Sequence, residues 1–142
     1  IPLGKANVVL EANPERIDEG DSVAVITYGM GVYWATKAAE KLNGSIEVLD
    51  LRTLNPIDNE AIYGQAKKHG KVLVLTEETL RNSLAEALAG RISKNCFEYL
   101  DAPVETLGSA NLPAVPLNMG LEKEMLPNAD KVYDVLASLL AY

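Results

Sequence analysis

Two apolar rhythms alternate along the chain. Val23–Tyr28, Ile46–Leu51 and Val72–Leu75 are nearly unbroken apolar runs, which is how strands covered on both faces read. Between them apolar residues recur at helical spacing: Val32, Ala35, Ala39 and Leu42, closed by Gly44; a segment from about Pro56 to His69, closed by Gly70; and Leu84, Ala87, Leu88, Ile92 and Cys96. Val8-Val9-Leu10 and Val104-Glu105-Thr106-Leu107, introduced by Pro103, add two shorter strands. Asn13-Pro14, Glu19-Gly20-Asp21 and Thr76-Glu77-Glu78-Thr79 predict turns and loops. Residues 108–127 hold Gly108, Pro113, Pro116, Gly120 and Pro127, so mostly loop is expected, with a helical turn over Leu121–Met125. Asn128 is placed to cap a last amphipathic helix with the stripe Val132, Val135, Leu136, Leu139 and Leu140. Such alternation predicts an α/β fold: a mostly parallel sheet, right-handed crossovers, and helices on both faces.

The stretch Asp50-Leu51-Arg52-Thr53-Leu54-Asn55-Pro56-Ile57-Asp58 joins the second buried run to a helix. Asp58 suits the N-cap, with Ile57 and Ile62 at the staple positions; Asn55 as cap with Pro56 in the first turn is the other register. Asp50, Arg52, Pro56 and Asp58 are therefore expected to form a structural junction, with Arg52 tying the strand end to its neighbours.

Composition narrows the function. A chain of 142 residues is one domain of ordinary soluble composition: residues 1–12 are expected to be a linker with a short edge strand, and 13–142 the domain. The Ile1-Pro2 start points to a piece of something longer. No run reaches the roughly 18 apolar residues of a membrane span, and no signal-peptide pattern opens the chain. A net charge of −7 argues against nucleic acid and suits a basic protein partner. A single cysteine forms no internal disulfide, so a reducing, cytoplasmic setting is expected.

Candidate chemistry is thin. Gly29-Met30-Gly31 after a buried strand, with Asp50 about twenty residues on, approaches the dinucleotide fingerprint, so an independent nucleotide-binding module is a competing reading. Trp34 occupies the place of the third glycine, which argues for a plain tight turn. His69, the only histidine, reads as a donor suited to a helix C-terminus beside Lys67 and Lys68; Cys96 reads as a buried small hydrophobe. Glu77 and Glu78 are positioned at a sheet edge or interface, where paired carboxylates can do acid–base work or be solvated. No Ser-His-Asp set, phosphate loop or metal-spaced cluster is apparent, and no catalytic, cofactor-binding or metal residue is assigned.

Pro2–Ala6 (PLGKA), Val23–Gly29 (VAVITYG), Asp50–Asp58 (DLRTLNPID), Leu100–Val104 (LDAPV) and Leu126–Val132 (LPNADKV) resemble, in this order, one family. It is the C-terminal domain of the beta subunit of the thiamine-diphosphate-dependent decarboxylating component of 2-oxo acid dehydrogenase complexes, a transketolase C-terminal-type fold. Two stretches depart from its pattern: Leu80-Arg81-Asn82-Ser83-Leu84 stands where the family has glycines, and the Gly108–Pro116 loop is longer and lacks an aspartate. The resemblance implies a three-layer α/β domain with a five-stranded mixed sheet whose first short strand is antiparallel. It implies that thiamine diphosphate and magnesium are held by other domains of the enzyme, and that this domain is inactive alone. It also implies partners: the other subunits, and the basic subunit-binding domain of the lipoyl acyltransferase. Of branched-chain 2-oxo acids, pyruvate and acetoin, the branched-chain substrate is favoured.

Overall fold

Strand β2 (Val23–Thr27) lies at the centre of the computed structural model, which describes residues 1–142, and every residue of it is buried. It pairs in parallel with β3 (Ile46–Asp50) on one side and β4 (Val72–Thr79) on the other. β5 (Glu105–Ser109) extends the sheet parallel to β4, and β1 (Asn7–Leu10) runs antiparallel along β3. The order is β1-β3-β2-β4-β5, the mixed sheet implied by the resemblance.

Alternate residues of the inner strands feed two separate cores. Val23, Val25, Ile46, Val48, Leu73 and Leu75 face α2 (Met30–Ala39) and α6 (Ala129–Leu140), meeting Ala35, Ala38, Val132, Leu136 and Leu139. Ile26, Leu49, Val72 and Val74 face α3 (Asn59–His69) and α4 (Leu84–Cys96), meeting Ile62, Ala66, Leu88 and Ile92. Each valine, leucine or isoleucine so buried contributes roughly 1.5–3 kcal/mol of transfer free energy, which makes the two faces of the sheet the main source of stability.

Helix ends follow their expected chemistry. Asn128 Oδ1 accepts the Lys131 N–H at 2.9 Å, and Gly70 closes α3 at φ 68°. Three boundaries differ from expectation. Asn13-Pro14 does not merely turn: it starts a short helix, α1 (Pro14–Asp18), with proline in the first turn. The helical turn near Leu121 is α5, Met119–Met125, capped by Asn118 Oδ1. Thr76–Thr79, expected as loop, belongs to β4, because β5 keeps pairing with it through an irregular register as far as Thr79 and Ser109. Gly108 permits that extension, since a Cβ there would lie 2.9 Å from the Glu78 carbonyl.

Gly31 sets how closely α2 approaches the sheet. A Cβ at this position would collide with Thr27 Oγ1 and lie 3.4 Å from Leu75. The second glycine of the Gly29-x-Gly31 pair thus does the packing work, and Trp34 in the third place, half-buried beside the core, does not prevent the crossing. Gly31→Ala is expected to destabilise by about 1–3 kcal/mol through overpacking. Gly64→Ala, where a Cβ meets nothing within 4 Å on α3, is expected to stabilise by about 0.5–1 kcal/mol. Thermal melts of the two variants check the opposite signs.

Candidate functional site

In open α/β sheets, ligands bind beyond the carboxyl ends of the strands where the strand order reverses. Here that point lies between β2 and β4, and side chains fill it. Thr27 Oγ1 donates to the Leu75 carbonyl at 2.9 Å, and the Tyr28 hydroxyl lies 2.8 Å from Thr76 Oγ1. Tyr28 also donates to Glu78 Oε1 at 3.4 Å, the oxygen that accepts the Leu84 N–H at 2.9 Å. Burial pushes the Tyr28 phenol up; the Thr76 hydrogen bond opposes that, and the Glu78 and Glu77 carboxylates reinforce it. Glu78 is therefore committed to the start of α4, while the exposed Glu77 has its carbonyl held by the Ser109 hydroxyl. The adjacent carboxylates do not converge on a shared cleft.

Gly29 adopts φ 58° and opens α2, but none of the four surface clefts is lined by Gly29, Gly31, Asp50, Glu77 or Glu78. No three His, Cys, Asp or Glu side chains are grouped to hold a metal.

The junction after β3 grips the start of the chain. Asp58 Oδ1 accepts the Ala61 N–H at 3.1 Å as the N-cap of α3, and its Oδ2 accepts the Ala6 N–H at 3.1 Å. These bonds, with the charge of Lys5, hold its carboxyl below the usual range against burial; the Ala61 bond contributes most. Thr53 Oγ1 accepts the Gly4 N–H and donates to the Pro56 carbonyl, each at 2.9 Å, and Gly4 lies against the Pro56 ring. Asp50 Oδ1 accepts the Arg52 N–H at 3.0 Å, holding Arg52 at φ 58°. Contrary to expectation, the Arg52 guanidinium ties nothing: it is exposed and makes no ion pair or hydrogen bond within the chain, because the left-handed backbone turns it outward.

The opposite edge of the sheet holds a polar group that inspection of the sequence missed. Glu47, 1% exposed as the second residue of β3, accepts from Lys68 Nζ at 2.7 and 2.8 Å and from the Ala12 N–H at 3.2 Å. His69 Nδ1 lies 2.8 Å from Ser22 Oγ, and its Nε2, without a hydrogen-bond partner, lies 3.6 Å from Glu47 Oε2. A serine, a histidine and a glutamate thus line up although no such set was legible. Ser22 is 0% exposed and lines no cleft, so a substrate has no approach to it. His69 does not face solvent as a simple helix-end donor, because α3 turns it inward. Two periodicities contained the signal: Ile62, Ala66 and His69 share one helical face, and Glu47 shares a strand face with Leu49. Cys96 is buried as expected, and burial pushes its thiol up against the pull of Lys67.

This geometry defines a three-layer α/β domain with a filled switch point. The family profile described as "Transketolase, C-terminal domain" matches residues 12–132, and the chain belongs to that family. It is 41% identical to the 2-oxoisovalerate dehydrogenase subunit beta of Bacillus subtilis (strain 168), over 100% of this chain and 42% of that protein. It is 37% identical to the pyruvate dehydrogenase E1 component subunit beta of Rickettsia bellii (strain RML369-C), over 96% of this chain and 39% of that one. Against the acetoin:2,6-dichlorophenolindophenol oxidoreductase subunit beta of Bacillus subtilis the identity is 34%, over 99% of this chain and 39% of that protein. The chain thus spans 39–42% of the length of these relatives. A solved structure titled "Split gene transketolase, inactive beta4 tetramer" shares the fold at TM-score 0.76 and 20% identity, over 99% of this chain and 44% of that one.

Two measurements follow from these contacts. Asp58→Ala is expected to cost about 1 kcal/mol or more through the lost cap, and to speed hydrogen exchange at the Ala6 and Ala61 amides; an unchanged melt and unchanged exchange would remove Asp58 from this role. The second concerns pH. Burial lowers the His69 pKa from 6.5, with Lys68 assisting and Glu47 opposing. Burial raises that of Glu47, but bonds from Lys68, Gln65 and the Ala12 N–H leave it below 4.5. Both groups bind fewer protons folded than unfolded, so their stabilisation is complete above the ordinary pKa and is lost as pH falls. The His69 share is lost first, below 6.5, and the Glu47 share below 4.5. Denaturant midpoints of His69→Gln are expected to stay flat across the upper window, where the parent protein loses stability.

Proposed function

We propose that this domain serves assembly and partner docking in the decarboxylating component of a 2-oxo acid dehydrogenase. The complete enzyme would oxidatively decarboxylate a 2-oxo acid and pass the acyl group to a lipoyl arm, with thiamine diphosphate and magnesium bound by its other domains. A branched-chain substrate is favoured by the 41% identity to the 2-oxoisovalerate subunit, against 37% and 34% for the pyruvate and acetoin relatives.

The observation that carries the assembly role is the loop and helix after β5. Leu112, Val115, Leu117, Met119 and Leu121 are 47, 54, 103, 85 and 60% exposed. Five large apolar side chains presented within ten residues are costly on a free surface and support a contact with another protein. The net charge of −7 supports docking to a basic partner, for which the subunit-binding domain of a lipoyl acyltransferase is the candidate. Association should fall by about tenfold or more when two apolar anchors become charged. Leu117→Asp with Met119→Asp, placed in the full-length subunit, is therefore expected to weaken assembly with the companion subunit in sedimentation velocity while leaving circular dichroism unchanged. Full assembly with both substitutions in place would remove this loop from the interface.

A further inference from the structure

The chain carries three methionines, and the fold gives each a different environment. Met125 is 6% exposed, Met30 44% and Met119 85%. Met119 is the first residue of α5, and Leu117 and Leu121 on either side are exposed with it. The amino end of this helix is capped without the Met119 side chain, because Asn118 Oδ1 accepts the Gly120 and Leu121 N–H groups at 2.9 and 3.3 Å. The carboxyl end is fixed to the rest of the domain. Lys131 Nζ donates to the Glu124 and Leu126 carbonyls at 2.7 and 2.8 Å, and the Ala110 N–H donates to the Met125 carbonyl at 3.0 Å. α5 is thus held at one end and presents the Met119 thioether to solvent at the other.

We infer that Met119 is a redox modification site, and that its sulfoxide weakens the assembly contact of the apolar loop. The inference rests on the assembly role proposed above and gives that contact a control. Hydrogen peroxide is the oxidant. The sulfur lone pair bonds to one peroxide oxygen as the O–O bond breaks, and the other oxygen takes the proton of the first and leaves as water. The sulfide is oxidised to a sulfoxide and the peroxide is reduced. This replaces a flexible apolar side chain by a polar one, between Leu117 and Leu121, where the surface is otherwise suited to an apolar contact. Met119 lies outside both cores, so the oxidised subunit keeps its fold and loses affinity alone. Assembly covers the sulfur, so the free subunit is the form that is modified, and enzymatic reduction of the sulfoxide reverses the change.

The test treats the full-length subunit with hydrogen peroxide, then follows peptide masses and, by sedimentation velocity, assembly with the companion subunit. Met119 is expected to gain an oxygen before Met30 and well before Met125. Assembly is expected to weaken by about tenfold once Met119 is oxidised, with circular dichroism unchanged, and to recover after treatment with methionine sulfoxide reductases. Treated and untreated Met119→Leu are expected to assemble equally, and the assembled enzyme is expected to keep Met119 unmodified. Oxidised Met119 with assembly intact, or an equal peroxide effect in Met119→Leu, overturns the switch and leaves the assembly role standing. Full assembly of Leu117→Asp with Met119→Asp removes the interface and the switch with it.

Discussion

The central constraint is the burial of β2. Its five residues are covered on both faces, and parallel neighbours take up both of its edges. The order β3-β2-β4 then settles where the helices go. The crossover from β2 to β3 moves one way across the sheet and the crossover from β3 to β4 moves back over β2. With one handedness for both, α2 and α3 must lie on opposite faces. The step from β4 to β5 continues in the second direction and places α4 beside α3, which leaves the position beside α2 for α6. The two cores have this composition. Thr27 is the polar member of β2, and its hydroxyl is satisfied by the Leu75 carbonyl just where Gly31 brings α2 closest.

Strand β1 is a weaker element, four residues long, paired on one side and broken in register between Val8 and Leu10. A strand so short contributes little pairing energy of its own. Side-chain carboxylates hold the backbone at both of its ends: Asp58 takes the Ala6 N–H just before it and Glu47 takes the Ala12 N–H just after it. A buried carboxylate costs several kcal/mol unless paired, and Glu47 meets that demand with Lys68 and the backbone. The same two acids tie both ends of α3, one as its cap and one through Lys68 in its last turn. Residues 6–12 and α3 are therefore locked to β3 as one unit.

The secondary structure was legible where one physical rule acts alone. Asp58, Asn128 and Gly70 end helices because capping is local chemistry, and the three apolar runs are strands because both their faces are covered. What was not legible depends on pairs distant in sequence. β4 extends to Thr79 only because β5 passes beside it with Gly108 in place, a contact across about thirty residues. Glu47, Lys68, His69 and Ser22 each have an ordinary surface reading, and only the packing of α3 onto β3 brings them together inside. Arg52 shows the converse. Its position at a strand end suggested a tie, but the Asp50 carboxylate bends the backbone and turns the charge to solvent.

The filled switch point bears on how such a domain can work. A crevice between diverging strands accepts ligands because backbone groups there lack partners and helix ends converge on it. In this chain the partners are already supplied: Tyr28 bonds across to Thr76, Glu78 takes the first amide of α4, and Ser109 holds the Glu77 carbonyl. Each bond stiffens the carboxyl edge and lowers the gain available to a small ligand, which would have to displace a bond that already exists. What stays unsatisfied is on the surface instead, in the apolar side chains beyond β5. A filled centre with unsatisfied margins favours contacts at the surface over capture of a small ligand at the switch point.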